Sequence, residues 1–148
     1  MRTLILLRHA AAESLGLDGR DFDRELTAAG RAEAEATGRR LAALDIRPQL
    51  LLSSPARRTR ATTDIVARCL GLAASAVRED ATLYLATLPT LRTAIARTDA
   101  AVGCLLLVGH NPGLSELATA LDANGDGVAL ATGACVRLDL PLADWSLP

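Results

Sequence analysis

Apolar positions along this chain follow two rhythms. Leu4-Ile5-Leu6-Leu7, Leu50-Leu51-Leu52 and Cys104-Leu105-Leu106-Leu107-Val108 are short unbroken runs closed by polar or turn residues. Runs of that length predict strands buried on both faces. Over residues 134–140 the pattern alternates instead, with Val136, Leu138 and Leu140 set against Arg137 and Asp139. That alternation predicts an edge strand with one wet face. A weaker strand is expected over 77–84.

Helical spacing fills the intervals. Thr27 caps an expected helix to about Leu44, with Ala34, Thr37, Leu41 and Leu44 inward and Gly30 and Gly38 small enough to lie close to a sheet. Ser54 and Pro55 read as N-cap and first position of a helix to about Leu70 that buries Ala61, Ile65 and Cys69 and stops at Gly71. Pro89 opens a helix carrying Leu91 and Ile95. Asn111 and Pro112 open the last, with Leu114, Leu117, Ala118 and Leu121 on one side. Strands alternating with helices predict one domain over residues 1–148, an α/β fold in three α/β/α layers with a mostly parallel sheet.

Composition removes several function classes. The 148 residues are half apolar with a formal net charge of -1, which suits neither a polybasic nucleic-acid surface nor a disordered tail. One Phe, one Tyr and one Trp give no stacking platform for single strands, so no nucleic-acid partner is expected. No apolar run approaches a membrane span, and the first run is too short for a signal h-region and is broken by Arg8-His9. Cys69, Cys104 and Cys135 are odd in number and far apart, so a reducing, cytoplasmic location is expected. All side-chain cation charge outside the histidines is arginine; the chain has no lysine. Lysine-based phosphate loops, Schiff bases and general bases are thereby removed, and guanidinium, whose fork matches phosphate oxygens, is left.

Chemistry gathers where the strands end. The first strand runs into Arg8 and His9, the second into Ser54, Arg57 and Arg58, the third into His110 and a helix start. If the three are parallel neighbours, these ends share one edge of the sheet, where open α/β folds bind ligands. Either histidine alone reads as structural. Both histidines of the chain at such ends, with arginines in the first helical turn that the macrodipole disfavours, suit a phosphoryl dianion; a phosphate or sulfate ion fits the same place. The acidic loop over 13–24, with Asp18, Asp21 and Asp23, is a solvated connection or a lip of that site.

Two decoys are set aside. Asp122, Asn124 and Asp126 begin like an EF-hand, but the twelfth position is Gly133, so the stretch reads as a turn. Ser53 and Ser54 lack a GxSxG elbow. No metal is expected, since Arg8 beside His9 repels a divalent cation and no carboxylate sits at matching spacing.

These residues resemble a known family. Leu7-Arg8-His9-Ala10 is similar to the RHG signature of the histidine phosphatase superfamily, which has the phosphoglycerate-mutase-like fold. Residues 24–30, Arg-Glu-Leu-Thr-Ala-Ala-Gly, resemble its RPLTxxG segment. Residues 54–62 resemble SPxxRxxxT, which aligns Arg58 with the second phosphate arginine, and Val108-Gly109-His110-Asn111 is similar to the motif of the second histidine. The form of the first motif is most like the small SixA-type branch, which includes phosphohistidine phosphatases.

The resemblance implies an enzyme without cofactor. His9 attacks phosphorus in line, a phosphohistidine forms, and water hydrolyses it. Arg8, Arg58 and His110 hold the equatorial oxygens, and Asn111 and Ser54 are further candidate substrate contacts. The expected partner is a protein carrying phosphohistidine, with a small phosphoester or a non-catalytic phosphoprotein-binding module as alternatives. The chain departs from the pattern at Ala10, where the family has Gly, and at Glu25, where it has Pro. It also lacks the Glu that many members use as general acid after the third strand; Glu79 and Asp80 are nearby, and the proton donor is one of these or none. A phosphoimidazole leaves with less acid help than an alkoxide, so this departure leans toward an N–P bond. The few residues outside these segments suggest an open site without a lid, suited to a protein substrate.

Overall fold

The computed structural model describes residues 1–15, 17 and 19–148. Gly16 and Asp18, which the loop reading included, lie outside the described residues. The strands β1 (Arg2–Arg8), β2 (Leu50–Ser53), β3 (Val77–Glu79), β4 (Cys104–Gly109) and β5 (Cys135–Leu140) form one sheet in the order β3-β2-β4-β1-β5. β1, β2, β3 and β4 run parallel, and β5 pairs antiparallel to β1 at the edge.

Alternate strand residues divide the core. Ile5, Leu7, Leu51, Leu106 and Val108 face one layer, where they meet Leu41 and Val66. Those two belong to α1 (Ala28–Ala43) and α2 (Arg57–Leu70). Leu4, Leu6, Leu50, Leu52, Leu105 and Leu107 face the other layer, packing on Leu91, Ile95, Leu114 and Leu117. These come from α3 (Leu88–Ala96) and α4 (Gly113–Leu121), with Trp145 folded onto the same face. Leu4 to Leu7 and Leu105 to Val108 are fully buried, which is why the central strands read as unbroken apolar runs. The three-layer α/β/α arrangement with an edge strand is the expected one.

Thr27 caps α1 by accepting from the Gly30 amide at 2.9 Å. A side chain at Gly30 would collide with the Ala11 carbonyl, and one at Gly38 would come 2.8 Å from Cys69 Cβ. The two small residues therefore seat α1 on the segment after His9 and on α2, rather than directly on the sheet. Leu44, expected inward, is exposed at the helix C-terminus.

Other expectations shift. α2 starts at Arg57 with Ala56 as N-cap, two residues beyond the Ser54-Pro55 reading. Its buried face is Arg58, Thr59, Thr62, Thr63, Val66 and Ala67, while Ala61, Ile65 and Cys69 are half-buried. Threonine can occupy that face because each hydroxyl is bonded: Thr59 to the Ser54 and Ala56 carbonyls, Thr62 to the Arg58 carbonyl and Thr63 to Ser53 Oγ. The strand over 77–84 stops at Glu79, and Ala81–Leu83 form a short 3-10 turn. There Asp80 accepts from the Thr82 amide at 2.9 Å, a local bond that competes with the ladder. α4 begins at Gly113; Asn111 Oδ1 accepts from the Ser115 amide and hydroxyl. The EF-hand-like stretch is a turn in which the Asp122 carboxylate accepts from the Asn124 and Asp126 amides.

Candidate active site

The register pairs Arg8 with Gly109 and Ser53 with Val108, so β1, β2 and β4 end at one edge. A cavity of about 310 Å³ opens there, lined by Arg8, His9, Asp21, Arg24, Arg58 and His110 among others. Among the described residues, three cations and one carboxylate leave two positive charges in its wall.

The segment carrying His9 is pinned on every side. Its amide donates to the Gly109 carbonyl, its carbonyl accepts from the Gly133 amide, and the Ala10 amide donates to Thr62 Oγ1 at 3.0 Å. The Ala11 amide donates to Glu33 Oε1 at 3.0 Å. Nδ1–H of His9 donates to the Ala10 carbonyl at 2.8 Å, which leaves the lone pair on Nε2. That nitrogen accepts from Nε–H of Arg58 at 3.3 Å. The His9 ring lies 5.4 Å from that of His110.

His110 is fixed by two contacts. Arg58 Nη2 sits 3.2 Å from its Nδ1, and a guanidinium only donates, so Nδ1 accepts and Nε2 carries the proton. Nε2–H donates to Ser54 Oγ at 2.7 Å. Both rings are kept neutral. Burial lowers His9 to about 4, with Arg58 and Arg8 lowering it further against a bond to Ala10 that raises it. Burial lowers His110 to about 3, helped by Arg58.

The arginines divide. Arg58 is 2% exposed and turns into the pocket. Arg57 and Arg60 pair with Glu25 and Glu79 on the surface, so only one of the three first-turn cations serves the site. Arg8 Nη1 donates to the Leu130 carbonyl at 3.1 Å, while its buried Nε has no partner among the described residues. Arg8 itself lines the cavity. Asn111 Nδ2 shares the Leu130 carbonyl at 2.8 Å. Asn111 lines the cavity with both ends of its amide committed to protein groups, and Ser54 is fully buried behind His110.

Sequence reasoning had Asp21 only as one acid of a loop read as a solvated connection or a lip, and gave Arg24 and Tyr84 no part in the site. Asp21, in the 3-10 turn Asp21–Asp23, accepts from Arg58 Nη2 at 3.0 Å and Tyr84 OH at 2.5 Å through Oδ2. Its Oδ1 accepts from Arg24 Nε at 3.1 Å, and its carbonyl from Arg58 Nη1 at 2.7 Å. The bond from Tyr84 and then those from Arg58 bring the Asp21 carboxyl down to about 2. Arg24 and Tyr84 follow from the same contacts. The signal for Asp21 was its place in the acidic loop, three residues before Arg24 of the motif-like segment. Glu79 and Asp80, the proton donors considered from sequence, are spent on Arg60 and Thr82, and neither lines the cavity.

Comparison with known proteins bears on this geometry. The family model of the histidine phosphatase superfamily (branch 1) matches residues 4–83, just over half of the chain. The chain belongs to the histidine phosphatase superfamily. The crystal structure of a SixA from Agrobacterium tumefaciens is 34% identical, with a TM-score of 0.84 over 93% of this chain and 91% of that one. The protein histidine phosphatase SixA complexed with tungstate has the same fold, with a TM-score of 0.82 at 23% identity over 93% of this chain and 88% of that one. A chloroplastic protein of Arabidopsis thaliana is 34% identical over 88% of this chain. This chain spans 63% of that relative's length. Among the described residues no helix is long and apolar enough to cross a membrane.

Proposed function

We propose that the protein is a phosphatase that takes a phosphoryl group onto His9 and passes it to water, with protein phosphohistidine as the substrate. The observation that carries this reading is the pairing of His9 Nε2, neutral and unprotonated, with the buried Arg58 guanidinium 3.3 Å away. A nucleophilic lone pair and an anion-holding fork thus meet at one point.

The steps follow from the geometry. A phosphoryl group entering between Nε2 and the arginines draws the Arg58 and Arg8 N–H groups to its equatorial oxygens. His9 then forms the N–P bond as the leaving group's bond breaks on the opposite side. His110 can donate from Nδ1 if its Nε2 instead accepts from the Ser54 hydroxyl, which works in either direction. Water attacks the phosphohistidine, and phosphate leaves with the proton that His9 does not keep. The arginines supply the charge neutralisation, so the steps need no cofactor.

Phosphohistidine as substrate is supported by the carboxylate in the wall. Asp21 is ionised and gives no proton to an alkoxide, whereas an imidazole departs without one. Similarity to SixA supports the same choice. Cys69, Cys104 and Cys135 are free, which suits a reducing cytoplasm. The test is a panel of substrates: a phosphohistidine protein or peptide should be turned over at least tenfold faster, by kcat/KM, than glycerol or sugar phosphates. Faster turnover of the small esters would move the protein to the small-metabolite reading. Binding without turnover, unchanged in His9→Ala, would make it a non-catalytic module.

A further inference from the structure

The depth of the pocket separates its residues by what they can reach. His9, Arg58 and His110 form the floor, at 6%, 2% and 3% exposure. Asp21, Arg24 and the half-exposed Leu85 line the same cavity nearer solvent. In-line attack from the floor places the leaving group opposite His9, toward this outer set.

Asp21 is the one carboxylate in that wall among the described residues, and its bonds commit it to the two arginines nearest it. Each of its oxygens is doubly engaged: Oδ1 by Arg24 Nε and Nη2, both at 3.1 Å, and Oδ2 by Arg58 and Tyr84. Three hydrogen bonds and one further ion-pair contact thus occupy the carboxylate. Arg58 is also a donor that a phosphoryl dianion claims, and Arg24 lines the same cavity. As phosphoryl oxygens take the Arg58 N–H groups, acceptor sites on Asp21 are released beside the outgoing group.

We propose that Asp21 is a specificity-determining residue that accepts a hydrogen bond from the remote ring N–H of an imidazole leaving group and so selects N–P over O–P substrates. The inference rests on the phosphatase reading above. In the transfer, the P–N bond of the substrate breaks as the bond from His9 Nε2 to phosphorus forms. The electron pair of the broken bond returns to the substrate ring nitrogen. The proton already on the other ring nitrogen stays there, held by the carboxylate, and the imidazole departs neutral. An alkyl ester has no N–H to offer and needs a proton that an ionised carboxylate lacks. The exchange also explains why an anion-binding pocket keeps an anion of its own: it holds both guanidinia in place until the phosphoryl group arrives.

The experiment is the ratio of kcat/KM for a phosphohistidine peptide to kcat/KM for 4-nitrophenyl phosphate, whose leaving group needs neither a proton nor an N–H acceptor. A change that only disturbs Arg58 or Arg24 lowers both rates and leaves the ratio alone. In Asp21→Asn the ratio should fall by about tenfold or more, the size of losing one charge-assisted hydrogen bond. Asp21→Ser gives the same reading if the amide disturbs the turn. A ratio within threefold of wild type in a folded variant overturns the inference and leaves the phosphatase reading standing. A wild-type enzyme active on esters and inactive on phosphohistidine overturns that reading, and this inference with it.

Discussion

Arg58 donates its Nε–H to Nε2 of His9 across 3.3 Å, so the cation that would hold the phosphate marks the nitrogen that would attack it. Arg58 reaches that position because it lies on the buried face of α2, with its Nη groups held by Asp21 and His110.

Arg58→Ala should lower kcat/KM by about 10³-fold, the scale of losing a preorganised donor at developing charge. Arg58→Lys should recover little of it, because an ammonium cannot reproduce a fork that touches His9, His110 and Asp21 at once. Steady-state kinetics of both variants checks this; near-wild-type activity in the lysine variant would contradict it.

The acid side of the pH profile should be displaced. Burial and the guanidinia hold His9 near 4, below its ordinary 6.5, so the nucleophile stays neutral through mildly acidic pH. The acid limb of kcat/KM should fall near pH 4 to 5, well below an unperturbed histidine.

Stability carries the same sign. The unfolded chain binds protons on His9 and His110 below about 6.5, which the folded chain refuses until about 4 and 3. Stability is therefore full above pH 6.5 and falls as pH drops from there toward the two folded values, with a slope of at most about 1.4 kcal/mol per pH unit per histidine. Asp21, lowered to about 2, adds its own loss only as pH drops below about 4. Denaturant melts at pH 7 and pH 4.5 measure it.

Much of the edge was legible because strands and helices end by local rules. An apolar run must stop where Arg8-His9 begins, and β4 must stop at His110, so both imidazoles were placed before any fold was known. The face of α2 was not legible: threonines are buried there only because Ser53, Ser54 and the helix backbone accept their hydroxyls, which no apolar period reports. Asp21 was legible only as one acid of a loop with two readings, and its partners were not. It sits in a three-residue turn, and its partners Arg58 and Tyr84 are 37 and 63 residues away in the chain.

Ser54 was expected to touch substrate; its contact is with His110, at 2.7 Å. Ser54→Ala removes the group that lets Nε2 either donate or accept, so His110 loses the means to turn Nδ1–H toward a phosphoryl oxygen. A fall in kcat of about tenfold with KM little changed is expected, the size of one hydrogen bond. A change confined to KM would place Ser54 in binding instead.

Gly30→Ala should be destabilising well out of proportion to its size. Its added methyl meets the Ala11 carbonyl, which is backbone and bonded to the Thr27 amide, so neither side yields. About 3 kcal/mol, or a drop in Tm of roughly 10 °C, is expected. Gly71→Ala, open to solvent at φ +64°, should cost only the strain of its conformation, about 1 kcal/mol.

The most direct measurement is a rapid quench of the enzyme with a ³²P-labelled phosphoryl donor, followed by mapping of the label. The account predicts stoichiometric label on His9, labile to acid and stable to base, and absent from His9→Ala. Label on another residue, or full turnover in His9→Ala, would contradict it.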